Sequence, residues 1–172
     1  AEPRDAQANA LMSRDFIEAG LGWEYDAARV LRGIRDRGTL AVVACEGGKG
    51  GGASRGAITG FAIMEVGDER AHLVLLAVRP SHRRLGIGQR LLDWLLESAR
   101  IAGMASIHLE LRSANEAARR FYRAMGFYET VLVPGYYRSG EGRKEGALRM
   151  LRVLRAPGPV PYTWRPPRTE DT

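Results

Sequence analysis

Seven consecutive residues, Arg83, Arg84, Leu85, Gly86, Ile87, Gly88 and Gln89, stand between the apolar run HLVLLAV and a leucine-rich segment. The first backbone N–H groups of a helix have no partner inside it and point one way, glycine lets a backbone approach a ligand, and arginine adds positive charge. That combination is suited to holding a phosphate. The plainer alternative is a strand-to-helix turn with solvated arginines.

Other chemistry-bearing residues say less. The glycine-rich stretch GGKGGGASRG at 47–56 lacks the Gly-Lys-Ser/Thr ending that a nucleotide loop uses to reach phosphate and magnesium. It reads as a flexible hairpin connection. His72, His82 and His108 form no metal-ligand spacing with the single cysteine, so no metal is expected. Cys45, inside the apolar run LAVVACE, reads as a small buried hydrophobe.

Periodicity supplies the elements that must position these residues. Residues 6–20 place Ala10, Leu11, Phe16 and Ile17 at helical spacing before Gly20, and residues 24–38 repeat the pattern with Ala27, Val30, Leu31 and Ile34 before Gly38. TLAVVACE reads as a strand that could be buried on both faces, and strands follow in AITGFAIMEVGD and RAHLVLLAVRP. A helix from Gly88 to about Ala102 gathers Leu91, Leu92, Leu95, Leu96 and Ala99 on one face. In MASIHLELR, Ile107, Leu109 and Leu111 share one face of a strand, leaving Ser106, His108, Glu110 and Arg112 on the other. SANEAARRFYRAMG is a helix capped at Asn115, with Ala118, Phe121, Tyr122 and Met125 inward. Residues 127–137 and 144–154 read as two further strands. Hairpins mixed with crossover helices imply an α/β domain on a mixed, mostly antiparallel sheet flanked by helices.

The chain has 172 residues, read as one domain over 1–155 with a proline-rich tail at 156–172. Its net charge is +6, but the arginines that dominate its 26 basic residues are spread along the whole sequence, which argues against a nucleic-acid partner. No apolar run of membrane-spanning length and no secretion signal is visible, so the expectation is a soluble, cytoplasmic protein with no membrane partner.

The spacing of Arg83, Gly86 and Gly88 resembles the pyrophosphate-binding signature of the GCN5-related N-acetyltransferases. The segments LLAVRPSHRRLGIGQRLLDWLLESA, IHLELRSANEAARRFYRAMGFYE and PGYYRSGEGRKEGALRM follow in that family's order, so the resemblance covers about residues 40–155. Within it, LELRSAN, MGF and GYY look most like bacterial ribosomal-protein-alanine N-acetyltransferases and related protein N-terminal acetyltransferases. The resemblance implies that residues 83–89 hold the pyrophosphate of acetyl-CoA, with Ala77, Val78 and Asn115 also at the cofactor. It implies Glu110 as general base, through a water, and Tyr122 as general acid towards the leaving thiolate. Read from the residues alone, Glu110 could be a solvated group on an edge strand, Tyr122 could simply pack, and Asn115 could be only a helix cap.

In such enzymes a tyrosine pair at the place of Tyr136 and Tyr137 lies on a hairpin closing over the acceptor; strand packing is the alternative. Trp23 and Tyr25 are candidates for the opposite wall. The preferred acceptor is a protein N-terminal amine. A small-molecule amine or lysine side chain, or a non-catalytic coenzyme-A-binding module, are the alternatives. The family opens with a strand before its first helix, and AEPRDA is too short and polar to form one. The tail could wrap a neighbouring subunit through Tyr162 and Trp164, giving a homodimer, or be a free linker.

Overall fold

The computed structural model describes residues 1–21, 24–47, 56–138 and 144–155. Trp23, most of the glycine-rich stretch, the connection after Arg138 and the proline-rich tail lie outside the described residues. The expected order of elements holds: α1 (Ala6–Phe16), α2 (Ala27–Arg35), β1 (Thr39–Cys45), β2 (Ile58–Val66), β3 (Arg70–Val78), α3 (Ile87–Ile101), β4 (Ser106–Arg112), α4 (Glu116–Ala124), β5 (Tyr128–Arg138) and β6 (Lys144–Val153). Pro3–Asp5 and Pro80–His82 add short 3-10 turns. Among the described residues no helix is long and apolar enough to cross a membrane.

Each element forms for a local reason. α3 buries Ile87, Leu91, Leu92, Leu95, Leu96 and Ala99 at helical spacing. Both shorter helices begin at side-chain caps: Asp26 accepts from the Arg29 N–H at 2.7 Å, and Asn115 from the Ala118 N–H at 3.1 Å. α1 stops at Phe16 rather than running to Gly20, because the chain turns inward after it. The Ser13 carbonyl takes the N–H groups of both Ile17 and Glu18, and the buried Glu18 carboxylate accepts from the Ser13 hydroxyl at 2.8 Å and the Glu24 N–H at 2.7 Å.

The sheet runs β1-β2-β3-β4-β6-β5, and only β3 with β4 is parallel. α3 makes the crossover that a parallel pair requires. One core lies between the sheet and α3 and α4, around Met64, Leu92, Leu95, Ile107, Leu109 and Met150. The other lies beneath α1 and α2, around Ala10, Val30, Phe61, Ile63 and Leu75. β2 is covered on both faces and is buried from Thr59 to Met64. β1, expected to be buried on both faces, is instead an edge strand half-buried along its length, and Cys45 is half-buried with it.

Two irregularities open the centre of the sheet. Leu73 pairs with Met64 and Leu75 with Ile63, so Val74 is an extra residue in β3 and forms a bulge. Before it, Ala71 and Leu73 face α3; after it, Leu75 and Ala77 face α1 and α2. In addition, β3 and β4 pair only at Arg70–Ser106, Ala71–Ile107 and His72–His108. Beyond His72 the two strands have no ladder between them, and a gap runs up towards residues 79–88.

Candidate active site

At the upper end of the gap the chain makes a turn whose backbone geometry suits an anion. Arg84 takes φ +65°, alone among the described non-glycine residues in having a positive φ, and Gly86 follows at φ +73° as the cap of α3. Such alternation turns successive N–H groups to one side. The first helical bond is Arg90 N–H to Gly86 C=O. No hydrogen bond from the N–H groups of residues 84–89 is seen among the described residues. A non-glycine residue in this conformation costs about 1–2 kcal/mol, strain that concentrates at functional turns. The donors, Arg83 and Arg84 fit a pyrophosphate. Leu85 is exposed, and Gly88 brings the start of α3 against the gap, since a Cβ there would touch Phe121 at 3.5 Å and Val78 at 3.6 Å.

The backbone of β3 faces the gap at alternate residues. The Arg79 N–H bonds Thr59 C=O across to β2, and pairing in step with it turns Ala77 and Leu75 to β2 as well. Leu76 and Val78 therefore present their N–H and C=O groups to the gap. Arg83 Nε confirms the direction by donating to the Val78 carbonyl at 3.2 Å. Of the two strand residues expected at the cofactor, Val78 faces the gap and Ala77 is turned away, its side chain buried under α1.

Glu110 lies on the far side of the gap, on a central strand rather than an edge. Its side chain is only 8% exposed. His72 Nε2 lies 2.7 Å from one carboxylate oxygen, and Arg149 Nε donates to the other at 2.7 Å. The hydrogen bond from His72, with that from Arg149, outweighs burial and lowers the Glu110 carboxyl to about 2. Tyr122 is buried against Phe121 and Phe127, with edge-to-face ring centroids at 5.1 and 5.6 Å. Burial pushes its phenol up, so the proton stays on the oxygen at neutral pH. Asn115 caps α4 through its side-chain oxygen.

Arg112 joins two walls beside Glu110. It donates from Nη1 to the Ala19 carbonyl in the α1–α2 connection at 2.8 Å and from Nε to Glu145 on β6 at 2.7 Å. Tyr137 pairs with Glu145 across β5 and β6, and its ring meets that of Tyr136 edge-to-face at 5.0 Å. Burial, then Tyr136 and Glu110, push the Tyr137 phenol up to about 12. Tyr136 is about half exposed. A separate cleft of about 260 Å³ beside α2, lined by Tyr25, Val30, Ile63 and Glu65, contains none of Glu110, Tyr122 or residues 83–89.

His72, His108 and Glu110 bring three potential metal-ligand atoms within 4.8 Å of one another. The two imidazoles are stacked, centroids 4.5 Å apart and planes 2° from parallel. Their lone pairs lie in parallel planes, so no single ion could sit in both as the rings are placed. His72, Arg149, Arg112 and Glu18 carry no local motif. Only the parallel register, which sets His72 beside His108, reveals the first of them.

A family model described as acetyltransferase (GNAT) family matches residues 8–127. The ribosomal protein bS18-alanine N-acetyltransferase of Escherichia coli strain K12 is 34% identical over 98 residues, 57% of this chain and 66% of that protein, just under two thirds of its length. The crystal structure of the ribosomal-protein-S18-alanine N-acetyltransferase from Escherichia coli has a TM-score of 0.72 at 26% identity, covering 94% of this chain and 96% of that one. Arabidopsis thaliana NAA60 in complex with acetyl-CoA shares the fold, with a TM-score of 0.75 at 15% identity over 89% of this chain and 95% of that one. With more than half of its length matched by the family model, on a six-stranded sheet opened between β3 and β4, the chain belongs to the acetyltransferase (GNAT) family.

Proposed function

We propose that the protein is an acetyl-CoA-dependent N-acetyltransferase whose acceptor is the α-amine of a protein or peptide N-terminus. The observation that carries this reading is one gap with a turn suited to an anion at its upper end and the buried Glu110 carboxylate across it. The turn at 83–89 would hold the pyrophosphate, with Gly86 and Gly88 allowing close approach and Arg83 and Arg84 neutralising charge. The N–H groups of Leu76 and Val78 face the gap, where a developing negative charge on a carbonyl oxygen needs a donor. Acetyl-CoA would supply the thioester that the amine attacks.

Proton handling falls to the chain's own residues. A free α-amine is on the order of 10% neutral at pH 7, and lysine roughly 0.04%, so a proton must leave before attack. Glu110 lies at the centre of the group that accepts it. Tyr122, kept protonated by burial, is the donor towards the leaving sulfur. The acceptor's first residues would lie between the α1–α2 connection and the β5–β6 hairpin, the walls that Arg112 ties together. The relative acting on a ribosomal-protein alanine supports an N-terminal acceptor over other amines.

Released thiol, measured with acetyl-CoA against peptides with free N-termini, blocked lysine peptides and polyamines, tests this. Transfer to free N-termini is expected. Transfer confined to lysine or polyamines would contradict the acceptor, and coenzyme A binding without any transfer would contradict the enzyme.

A further inference from the structure

We infer that His72 is the group that takes the proton from the acceptor amine, with Glu110 acting as its positioning carboxylate and counter-charge. This deepens the acetyl-transfer reading above and rests on it. Both Glu110 oxygens already accept strong hydrogen bonds, one from Arg149 and one shared with His72 Nε2, each at 2.7 Å. The carboxylate is 8% exposed, whereas the His72 side chain is 33% exposed. An approaching ammonium therefore reaches the imidazole more readily than the carboxylate.

The tautomer follows from the partner. With Glu110 ionised, Nε2 carries the hydrogen and donates to it, which leaves the Nδ1 lone pair free to accept a proton. No hydrogen bond to His72 Nδ1 is seen among the described residues. The proton moves from the ammonium to Nδ1, directly or through a water. This leaves a neutral amine and an imidazolium whose charge faces the Glu110 carboxylate; solvent then takes the proton back from the ring. A carboxylate braced by two donors is a poor proton acceptor.

The surroundings favour a single cation at this ring. His108, stacked on His72 at 4.5 Å, is held below the ordinary imidazole range by burial and by His72, and so stays neutral. Among the described residues, Glu65 is the partner of His72 on β2, Arg70 stands on its own strand, Glu110 on β4 and Arg149 on β6, and the charge of Glu110 in turn acts on the Tyr137 phenol of β5. From the α1–α2 side the Tyr25 phenol is acted on by Glu65.

The test is kcat/KM against pH, with a free-N-terminus peptide, for the wild type, H72Q and E110Q. Glutamine keeps a donor for Glu110 but cannot take a proton. H72Q is expected to lose roughly 100-fold or more at pH 7, in the range general-base removal costs. Its kcat/KM should then climb with pH until the amine itself deprotonates, with coenzyme A affinity unchanged. E110Q should keep an acidic limb, displaced to lower pH by loss of the counter-charge. A wild-type profile in H72Q, or a limb lost in E110Q and retained in H72Q, would make Glu110 the acceptor and overturn the inference. If the wild type transfers acetyl to no amine, the acetyl-transfer reading falls and takes this one with it. Should H72Q fail to fold, nitrogen NMR of the wild-type histidines replaces it: His72 Nδ1 must be unprotonated above the acidic limb and protonated below it, and a ring protonated at Nδ1 throughout would overturn the inference.

Discussion

Glu110 has consequences for stability as well as chemistry. Its carboxyl is lowered to about 2 by His72 and Arg149, so the folded state favours the ionised form more than the unfolded chain does. A depressed carboxylate stabilises above the unfolded value near 4.5 and loses that contribution as pH falls towards 2. Urea unfolding of the wild type should therefore weaken between pH 5 and 2 by on the order of 2 kcal/mol more than that of E110Q; parallel pH curves would refute the bracing of Glu110. The turn at 83–89 makes a different demand. Arg83→Ala with Arg84→Ala should raise the coenzyme A dissociation constant about tenfold or more, since charge-assisted contacts contribute roughly 1.5–3 kcal/mol each. Calorimetry that returns the wild-type constant would remove the turn from the pyrophosphate site. At Gly86, φ +73° with open space around a would-be Cβ makes Ala there a purely conformational cost of about 1 kcal/mol.

The elements place these residues through two departures from regular pairing. The bulge at Val74 and the short β3–β4 ladder create the gap, and Gly60 lets α3 sit close beside it. A Cβ at Gly60 would lie 3.1 Å from the Ala77 carbonyl, Ile87 and Leu91, so Gly60→Val should destabilise by about 1–3 kcal/mol and displace the start of α3. Thermal unfolding unchanged from the wild type would contradict that packing. Arg112→Met, by releasing the Ala19 carbonyl and Glu145, should raise the acceptor KM severalfold while coenzyme A affinity holds; a fall in kcat alone would show that Arg112 does not organise the acceptor walls. Most elements were legible in the sequence because α3 and β4 bury residues at unambiguous periods of 3.6 and 2. The turn at 83–89 was legible because its glycines are local. The edge position of β1 was not, since an apolar run reads alike at a sheet's centre and its margin. Nor were His72, Arg149 and Arg112 legible as partners of the site, because each meets its partner through strand register rather than through neighbours in sequence.

At the scale of the whole molecule, the face carrying α3 and α4 is a closed core, while the face carrying α1 and α2 covers β1 to β3 and leaves Glu110, Arg112 and Arg149 beside the α1–α2 connection and the start of β6 that Arg112 joins. Both faces of the sheet carry a buried core, and Tyr122 on α4 belongs to the first of them. Leu95 belongs wholly to the first, being fully buried, and Leu95→Ala should cost about 2–5 kcal/mol in unfolding while leaving the pH profile of the surviving enzyme unchanged. The proposed acceptor of the acetyl group is an N-terminal α-amine. The most direct test is fragmentation mass spectrometry of one peptide that carries both a free α-amine and a lysine, after incubation with acetyl-CoA and the protein. The acetyl group should be found on the α-amine; its appearance on the lysine side chain, or an unmodified peptide, would contradict the account.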